Sequence, residues 1–217
     1  MFILSKEIVF PAVESADEDG LLAIGGDLNI ERLLLAYRSG IFPWYNEADP
    51  ICWWCHNPRF VLFPDELKIS KSMKSLLNKN EFHFTINKAF HEVIDNCKTS
   101  FRKGQDGTWI DNNIVNAYTK LYNLGYAISA ETWLGNELIG GLYGIRLDTI
   151  FFGESMFSKK SNASKFAFIH LVKKLQKENT ALIDCQVYTS HLESLGARMI
   201  ERKTFISILN KNIVAEP

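Results

Sequence analysis

Apolar positions follow two different patterns along the chain, and the change comes near Pro64. The earlier part is rich in glycine, proline and tryptophan. It shows one helical period, over residues 30–39, and its remainder predicts loops and short strands. The later part contains longer amphipathic and continuous apolar segments. We therefore expect a small N-terminal α/β domain over residues 1–62 and a larger domain over residues 63–217.

Several helices are predicted in the larger domain. Ser70, Asn87 and Asp111 each precede a segment whose apolar residues recur at helical spacing, and these residue types are favoured at helix N-caps. A longer helix is predicted over residues 162–178 and a short one near 191–195.

Apolar runs between these helices predict the strands of a central mixed, mainly antiparallel sheet. The Gly135-Asn136 dipeptide predicts a hairpin between the first two strands. The predicted strands cover residues 126–133, 138–145, 150–157, 181–187 and, at the end, 198–209. A hairpin, a third strand, a long helix, a strand, a helix and a last strand form the order of a GNAT-like acyltransferase fold. The expected fold class is α+β, and the analogy suggests acyl transfer.

Composition narrows the class of protein. The chain has 217 residues, of which 47% are hydrophobic and 23% charged, as in a soluble globular protein. A net charge of −1 gives no general attraction to nucleic acid, so such binding needs a local basic patch. No apolar run approaches the roughly 20 residues that span a bilayer, and the first residues lack the apolar core of a signal peptide. We expect a cytoplasmic protein without membrane contact.

Four cysteines do not predict a disulfide framework at this length. Residues 52–56 read CWWCH, which matches the string for covalent haem attachment, but that use requires export. The sequence contains no second C-x-x-C pair for zinc. We therefore predict reduced thiols and no metal.

Two acids and an amide lie in or beside apolar strands. Asp184 and Gln186 follow a buried strand and, at period two, are predicted to share one face. Glu154 lies inside another apolar strand. A carboxylate in such surroundings is costly unless it is paired. The three residues predict a site for an amine-bearing substrate.

Basic and aromatic residues suggest contacts with RNA. Lys71, Lys74 and Lys79 lie on or beside one short helix and suit phosphate contacts, although solvation alone also explains such lysines. The turn over residues 158–165 has lysines and hydroxyls but no glycine. Acyl-CoA-dependent proteins of this fold bind the pyrophosphate with the backbone N–H groups of a glycine-rich turn, so a coenzyme A site is not favoured here. Trp44 and Trp109 lie in loop-like segments where a ring could stack on a base.

Seven blocks in one order make the resemblance specific. They are GLLAIGGDL (20–28), GIFPW (40–44), GTWI (107–110), GGLYG (140–144), FGESMFS (152–158), LIDCQ (182–186) and SLGA (194–197). Together they resemble the leucyl/phenylalanyl-tRNA–protein transferase family over nearly the whole chain.

The resemblance implies a specific reaction. The family moves leucine or phenylalanine from aminoacyl-tRNA to the N-terminal arginine or lysine of acceptor proteins, which marks them for N-degron-type proteolysis. We expect methionine as a further donor, no metal or other cofactor, and a monomer.

The resemblance also assigns expected roles to residues. Gln186 would hydrogen-bond the attacking amine, Asp184 would polarise Gln186 or take up the proton, and Glu154 would help to hold the aminoacyl group. The expected aminoacyl pocket consists of Leu142, Phe151, Met156 and Ile183. Trp44 and Trp109 would frame the terminal adenosine, and the three lysines would bind the tRNA backbone.

Two other function classes remain open at this point. The order of elements is compatible with a coenzyme A-dependent N-acetyltransferase, which the turn over residues 158–165 opposes. A non-catalytic RNA-binding module is opposed by the near-zero net charge and by the acids of the expected cleft.

Overall fold

The computed structural model describes residues 2–46, 48–79, 81–100 and 109–214, which form an α+β protein with two β-sheets. The smaller sheet has the strand order β1-β2-β4-β3. Its strands are β1 (Phe2–Leu4), β2 (Leu21–Gly25), β3 (Phe42–Pro43) and β4 (Cys52–Trp54). The predicted helix is α1 (Ile30–Arg38), which buries Leu33, Leu34 and Tyr37. The small N-terminal α/β unit is therefore confirmed.

The larger sheet has seven strands in the order β11-β5-β10-β9-β8-β7-β6. They are β5 (Arg59–Leu62), β6 (His83–Ile86), β7 (Ala127–Leu134), β8 (Glu137–Leu147), β9 (Ile150–Ser158), β10 (Leu182–Gln186) and β11 (Arg198–Ile200). The β9–β10 pair is parallel, and the other pairs are antiparallel. The predicted mixed, mainly antiparallel sheet is confirmed.

Helices cover both faces of the larger sheet. They are α2 (Lys71–Leu77), α3 (Phe90–Thr99), α4 (Asn112–Asn123), α5 (Ala163–Lys177), α6 (Ser190–Glu193) and α7 (Arg202–Asn212). Apolar residues of α5 form one buried cluster with β8, and those of α3 and α4 form another. The series β7-β8-β9-α5-β10-α6-β11 is the order predicted for a GNAT-like domain, with a two-residue turn between β7 and β8.

The predicted closing strand is wrong beyond Ile200, because the chain turns there into α7. Phe205, Ile206 and Leu209 all approach Gly40. Neighbouring residues of a strand point to opposite faces, so this shared contact requires a helix.

The predicted N-cap at Asn87 is also wrong. Helix α3 has Ala89 at its N-cap position, and the side chain of Asn87 accepts the backbone N–H of Ser129. Asn87 has a left-handed backbone with φ 56°, which turns the chain from β6 towards α3.

The boundary predicted at residue 62 falls after a strand of the larger sheet. β5 pairs with β10 and β11, so residues 59–62 belong structurally with the later part of the chain. In the opposite direction, α7 packs against Gly40 of the N-terminal part. The division into two domains stays a prediction.

Gly144 and Gly153 are register partners in β8 and β9, but they differ in the space around them. A Cβ at Gly144 would lie 2.2 Å from the carbonyl oxygen of Phe152 and 2.5 Å from Cζ of Phe151. The nearest atom to a Cβ at Gly153 would be 3.5 Å away.

Gly144→Ala is expected to lower the free energy of unfolding by about 1–3 kcal/mol. Gly153→Ala should change it by less than about 0.5 kcal/mol. Urea unfolding measures both, and equal decreases would contradict this packing.

Candidate active site

A cavity of about 530 Å³ opens where the pairing of β9 with β10 ends. It brings together most of the residues that the sequence predicted for the site. Those that line it are Trp44, Trp109, Leu142, Glu154, Met156, Ile183, Asp184 and Gln186. Polar groups therefore meet an apolar wall and an aromatic rim in one concave space, as is typical of small-molecule sites.

Two β-bulges orient the polar side chains of the cavity. In β9 the register with β8 shifts between Gly153 and Ser155, which makes Glu154 the extra residue. In β10 the register with β5 shifts after Asp184, and Gln186 has a left-handed backbone with φ 61°. Both side chains line the cavity, as predicted, although a bulge rather than regular alternation sets their directions.

A side-chain hydrogen bond joins β9 and β10 beyond their last backbone pair. The parallel ladder ends at the pair Phe152 and Asp184. Two residues further along each strand, Nε2 of Gln186 donates to Oε1 of Glu154 at 2.9 Å. The strands have parted there, and the amide and the carboxylate face the cavity between them.

Asp184 is fully buried and its carboxylate is held by Arg59. Nε of Arg59 donates to Oδ1 at 2.8 Å, and Nη2 donates to Oδ2 at 2.7 Å. Oδ1 also accepts the backbone N–H of Gln186 at 2.9 Å. Asp184 is therefore bonded to the backbone of Gln186, and not to the side-chain amide that it was predicted to polarise.

Arg59 lies between two aromatic rings. Its guanidinium carbon is 4.6 Å from the ring centre of Phe42 and 4.8 Å from that of Phe205. Burial works to lower the pKa of Arg59, but the charge of Asp184 and its hydrogen bonds raise the pKa overall. Sequence reasoning missed Arg59. The sequence did contain one indication of its role, since a charged residue begins the apolar strand Arg59–Leu62.

Two tyrosines hold Glu154 from the opposite side. The hydroxyl of Tyr37 donates to Oε1 at 2.8 Å, and that of Tyr118 donates to Oε2 at 3.0 Å. The two hydroxyls also contact each other. Both tyrosines are fully buried, and their pKa values are raised by burial and by the charge of Glu154. Neither was predicted, because a tyrosine in an amphipathic helix is more often a core residue.

Burial also perturbs Glu154 itself. It raises the pKa of Glu154 to about 7, while the hydrogen bonds from Tyr37, Tyr118 and Gln186 oppose the rise. The charge of Asp184 contributes further in the upward direction. A carboxyl that titrates near neutrality in a cavity is a candidate acid or base.

The apolar wall of the cavity contains three of the four residues predicted for an aminoacyl pocket. Leu142 and Ile183 are buried, and Met156 is partly exposed to the cavity. Phe151 is not among the described residues that line it, because its ring packs against Gly144 in the core. The predicted position of Phe151 is therefore corrected to a layer behind the wall.

Two tryptophans form part of the rim. Trp44 is partly exposed and Trp109 is 9% exposed, and both line the cavity. The ring of Trp54 supports Trp44 with 6.0 Å between centroids, and its Nε1 donates to the Trp44 carbonyl. Residues 107 and 108, which precede Trp109 in the predicted motif, lie outside the described residues.

The predicted basic residues lie outside the cavity. Lys71 and Lys74 are exposed on α2, and Lys79 is exposed just after it. Met73 points into the core between them. The three lysines therefore form an exposed basic group, which we name the lysine stripe.

Metal ligands do not cluster in the part of the chain that the structure describes, where no group of three His, Cys, Asp or Glu residues could hold an ion. Within the same residues, no helix is long and apolar enough to cross a membrane.

Comparisons with known proteins identify the family. Its model, described as leucyl/phenylalanyl-tRNA protein transferase, matches residues 61–210, and the model of its N-terminal domain matches residues 26–55. A curated leucyl/phenylalanyl-tRNA–protein transferase from Flavobacterium johnsoniae is 60% identical over 209 residues, covering 96% of this chain and 99% of the relative. One from Christiangramia forsetii is 56% identical over 211 residues, covering 96% and 100%.

A solved GCN5-related N-acetyltransferase from Kribbella flavida is a distant likeness. It has a TM-score of 0.41 and 5% identity, and the match covers 76% of this chain and 59% of that one. The assignment rests instead on the family model and on relatives that match over nearly their full length. The chain belongs to the leucyl/phenylalanyl-tRNA–protein transferase family.

Proposed function

We propose that this protein transfers leucine or phenylalanine, and also methionine, from aminoacyl-tRNA to the N-terminal arginine or lysine of acceptor proteins, which marks them for proteolysis. The observation that carries the proposal is the hydrogen-bonded pair of Glu154 and Gln186 beside an apolar wall, in a chain of this family. Acyl transfer to an amine needs both features, a place for the acyl side chain and polar groups for the amine.

The donor fits the cavity in two parts. The leucine or phenylalanine side chain would pack against Leu142, Met156 and Ile183, which line the cavity. The terminal adenosine would stack at the rim on Trp44 and Trp109. The lysine stripe would contact the tRNA backbone outside the cavity. Charged tRNA is a cytoplasmic substrate, so we place the reaction there.

The chemistry is aminolysis of an ester that is already activated. The protein must therefore hold a neutral α-amine against the carbonyl carbon and manage one proton. Nε2 of Gln186 donates to Glu154, which leaves the amide oxygen to accept one N–H of the incoming amine. Asp184 and Arg59 support this arrangement through the backbone of Gln186.

The acceptor carries a cationic N-terminal residue. The carboxylate of Glu154 lines the cavity and favours a positive group there, whereas that of Asp184 is paired with Arg59. We propose the monomer as the working unit.

A transfer assay tests the function. With labelled Leu-tRNA or Phe-tRNA and a peptide that begins with arginine, we expect label in the peptide. A peptide with an acetylated N-terminus should remain unlabelled because it lacks the amine. Apolar pockets discriminate by about 1–3 kcal/mol per methylene, so Val-tRNA should be a poor donor and Ser-tRNA should be rejected. Efficient transfer from Ser-tRNA, or acetylation of the peptide by acetyl-CoA in place of transfer, would overturn the proposal.

Removing the amide of Gln186 should slow transfer rather than weaken tRNA binding. Gln186→Ala removes the acceptor for the amine, and Asp184→Ala releases the backbone of Gln186 and leaves Arg59 unpaired. We expect the rate with bound donor to fall by about 10²–10⁴-fold for Gln186→Ala. Single-turnover transfer and filter binding of Leu-tRNA separate the two effects. A near-normal rate in Gln186→Ala would remove this residue from the reaction.

The lysine stripe should bind phosphates without reading sequence. Each phosphate that a lysine neutralises contributes about 0.7–0.9 to the slope of log affinity against log salt. Replacing Lys71, Lys74 and Lys79 with alanine should therefore flatten that slope, and equally for Leu-tRNA and Phe-tRNA. A matched control replaces Lys173, Lys174 and Lys177 of α5 in the same way. Equal slopes for the stripe variant and the parent would place the tRNA-binding surface elsewhere.

A further inference from the structure

The destination of the amine proton is open, and the geometry of Asp184 bears on it. Both oxygens of Asp184 are engaged by Arg59, and Oδ1 is additionally bonded to the backbone N–H of Gln186. Two of these three bonds come from the guanidinium of a buried arginine, whereas the three bonds to Glu154 come from neutral hydroxyl and amide groups. The bonds to Asp184 hold it in place by directional contacts, so Asp184 is a positioning residue for Gln186.

The hydroxyls around Glu154 are one proton short of a complete set of hydrogen bonds. Three oxygen pairs are in hydrogen-bond contact: Tyr37 with Glu154, Tyr118 with Glu154, and Tyr37 with Tyr118. Each contact needs one proton, but the two hydroxyls carry only two. When Glu154 is ionised, one contact therefore lacks a proton. When Glu154 is protonated, its own O–H supplies the third, and the ring closes.

We propose that Glu154 accepts the proton of the attacking amine, and that Tyr37 and Tyr118 are positioning residues that receive it into a closed ring of hydrogen bonds. The inference rests on the proposed function and names the proton acceptor of that reaction. Glu154 lines the cavity and holds the Nε2 of Gln186, so an amine bonded to the Gln186 oxygen lies beside the carboxylate.

The step balances in atoms and charge. The amine nitrogen attacks the ester carbonyl carbon, the new C–N bond forms, and the bond from that carbon to the 3′ oxygen of the tRNA breaks. One proton leaves the nitrogen for Glu154. The same proton then passes from Glu154 to the departing 3′ oxygen, so that Glu154 returns to its ionised form. No metal, oxidant or other reactant takes part in the step.

The charges around Glu154 suit this role. Tyr37 faces it from α1, Tyr118 from α4 and Gln186 from β10, while Asp184 adds a negative charge that Arg59 of β5 partly balances. Burial places the pKa of Glu154 at about 7. A peptide α-amine has a pKa of about 7.7–8.0, so the two groups are closely matched for proton transfer.

The pH dependence of transfer tests the proposal. At low pH the reaction requires a neutral amine and an ionised Glu154, so log kcat/KM for an arginine peptide should rise with a slope of two in the parent. Glu154→Gln keeps the shape but cannot take a proton. Its slope should fall to one, set by the amine alone, and its rate should fall about 10²–10⁴-fold. A slope of two in Glu154→Gln, with a slope of one in Asp184→Asn, would overturn the proposal in favour of Asp184.

The tyrosines provide a second measurement. Their hydrogen bonds oppose the rise of the Glu154 pKa. In Tyr118→Phe, the bend in the plot of log kcat/KM against pH that reports Glu154 should therefore move to higher pH. The matched control is Tyr122→Phe, one turn later on α4, whose hydroxyl donates to the carbonyl of Asn87. The control should leave the bend in place. An unmoved bend in Tyr118→Phe would mean that this hydroxyl does not act on Glu154, and Tyr118 would lose its positioning role.

Stability provides a readout that does not depend on activity. A carboxyl whose pKa is raised in the folded state binds its proton more tightly in the folded than in the unfolded protein. Its contribution to stability is therefore lost as the pH rises through its folded-state pKa. Between pH 5 and 8 the Tm of the parent should therefore fall relative to that of Glu154→Gln. Glu131→Gln, another buried carboxyl bonded by hydroxyls but away from the cavity, is the control for removal of a buried acid.

The outcomes separate the proposed function from the proton assignment. If the parent transfers no leucine, the proposed function fails. If the parent transfers leucine but Glu154→Gln keeps a slope of two and the same dependence of Tm on pH, the proton assignment alone fails.

Discussion

The buried ion pair of Arg59 and Asp184 is the interaction on which the site depends. It joins β5 to β10, and its carboxylate holds the backbone of Gln186 at the point where β10 bulges. The rings of Phe42, from the N-terminal part of the chain, and Phe205, from α7, both contact the guanidinium of Arg59. Burying both ions is costly, and removing one partner of such a pair typically costs about 3–5 kcal/mol. The pair therefore couples the integrity of the core to the geometry of the cavity.

The cavity exists because the sheet is interrupted in two neighbouring strands. A regular ladder would satisfy the backbone of β9 and β10 to their ends and leave no room between them. The pairing of β9 with β10 ends at Phe152 and Asp184, where β9 bulges against β8 and β10 bulges against β5. Beyond it, the side chains of Glu154 and Gln186 form a hydrogen bond in place of a backbone one. The same burial that closes the core keeps the pKa of Glu154 near neutrality. A backbone irregularity thus produces both the space for an aminoacyl group and the acid–base character of its polar end.

The sequence predicted those residues of the site that interrupt an apolar pattern. Glu154, Asp184 and Gln186 stand out because polar groups are rare in apolar strands. Arg59 and the two tyrosines do not stand out in this way, and their partners are distant: 125 residues separate Arg59 from Asp184, and 117 separate Tyr37 from Glu154. A tyrosine on an amphipathic helix satisfies the apolar period, so its hydroxyl is not distinguished until another element is packed against it.

The sequence by itself determined the order of helices and strands from β7 to α6, the mixed sheet and the family, because these depend on local period, turn residues and contiguous motifs. It did not determine the last segment, since the apolar residues of 198–209 suit a strand as well as a helix until contact with Gly40 selects the helix. It also placed Phe151 in the pocket, where packing over Gly144 puts it in the core instead. Only the tertiary structure decided which carboxylate is paired with an arginine and which is bonded by neutral groups, because pairing depends on distances between residues that are far apart in the chain.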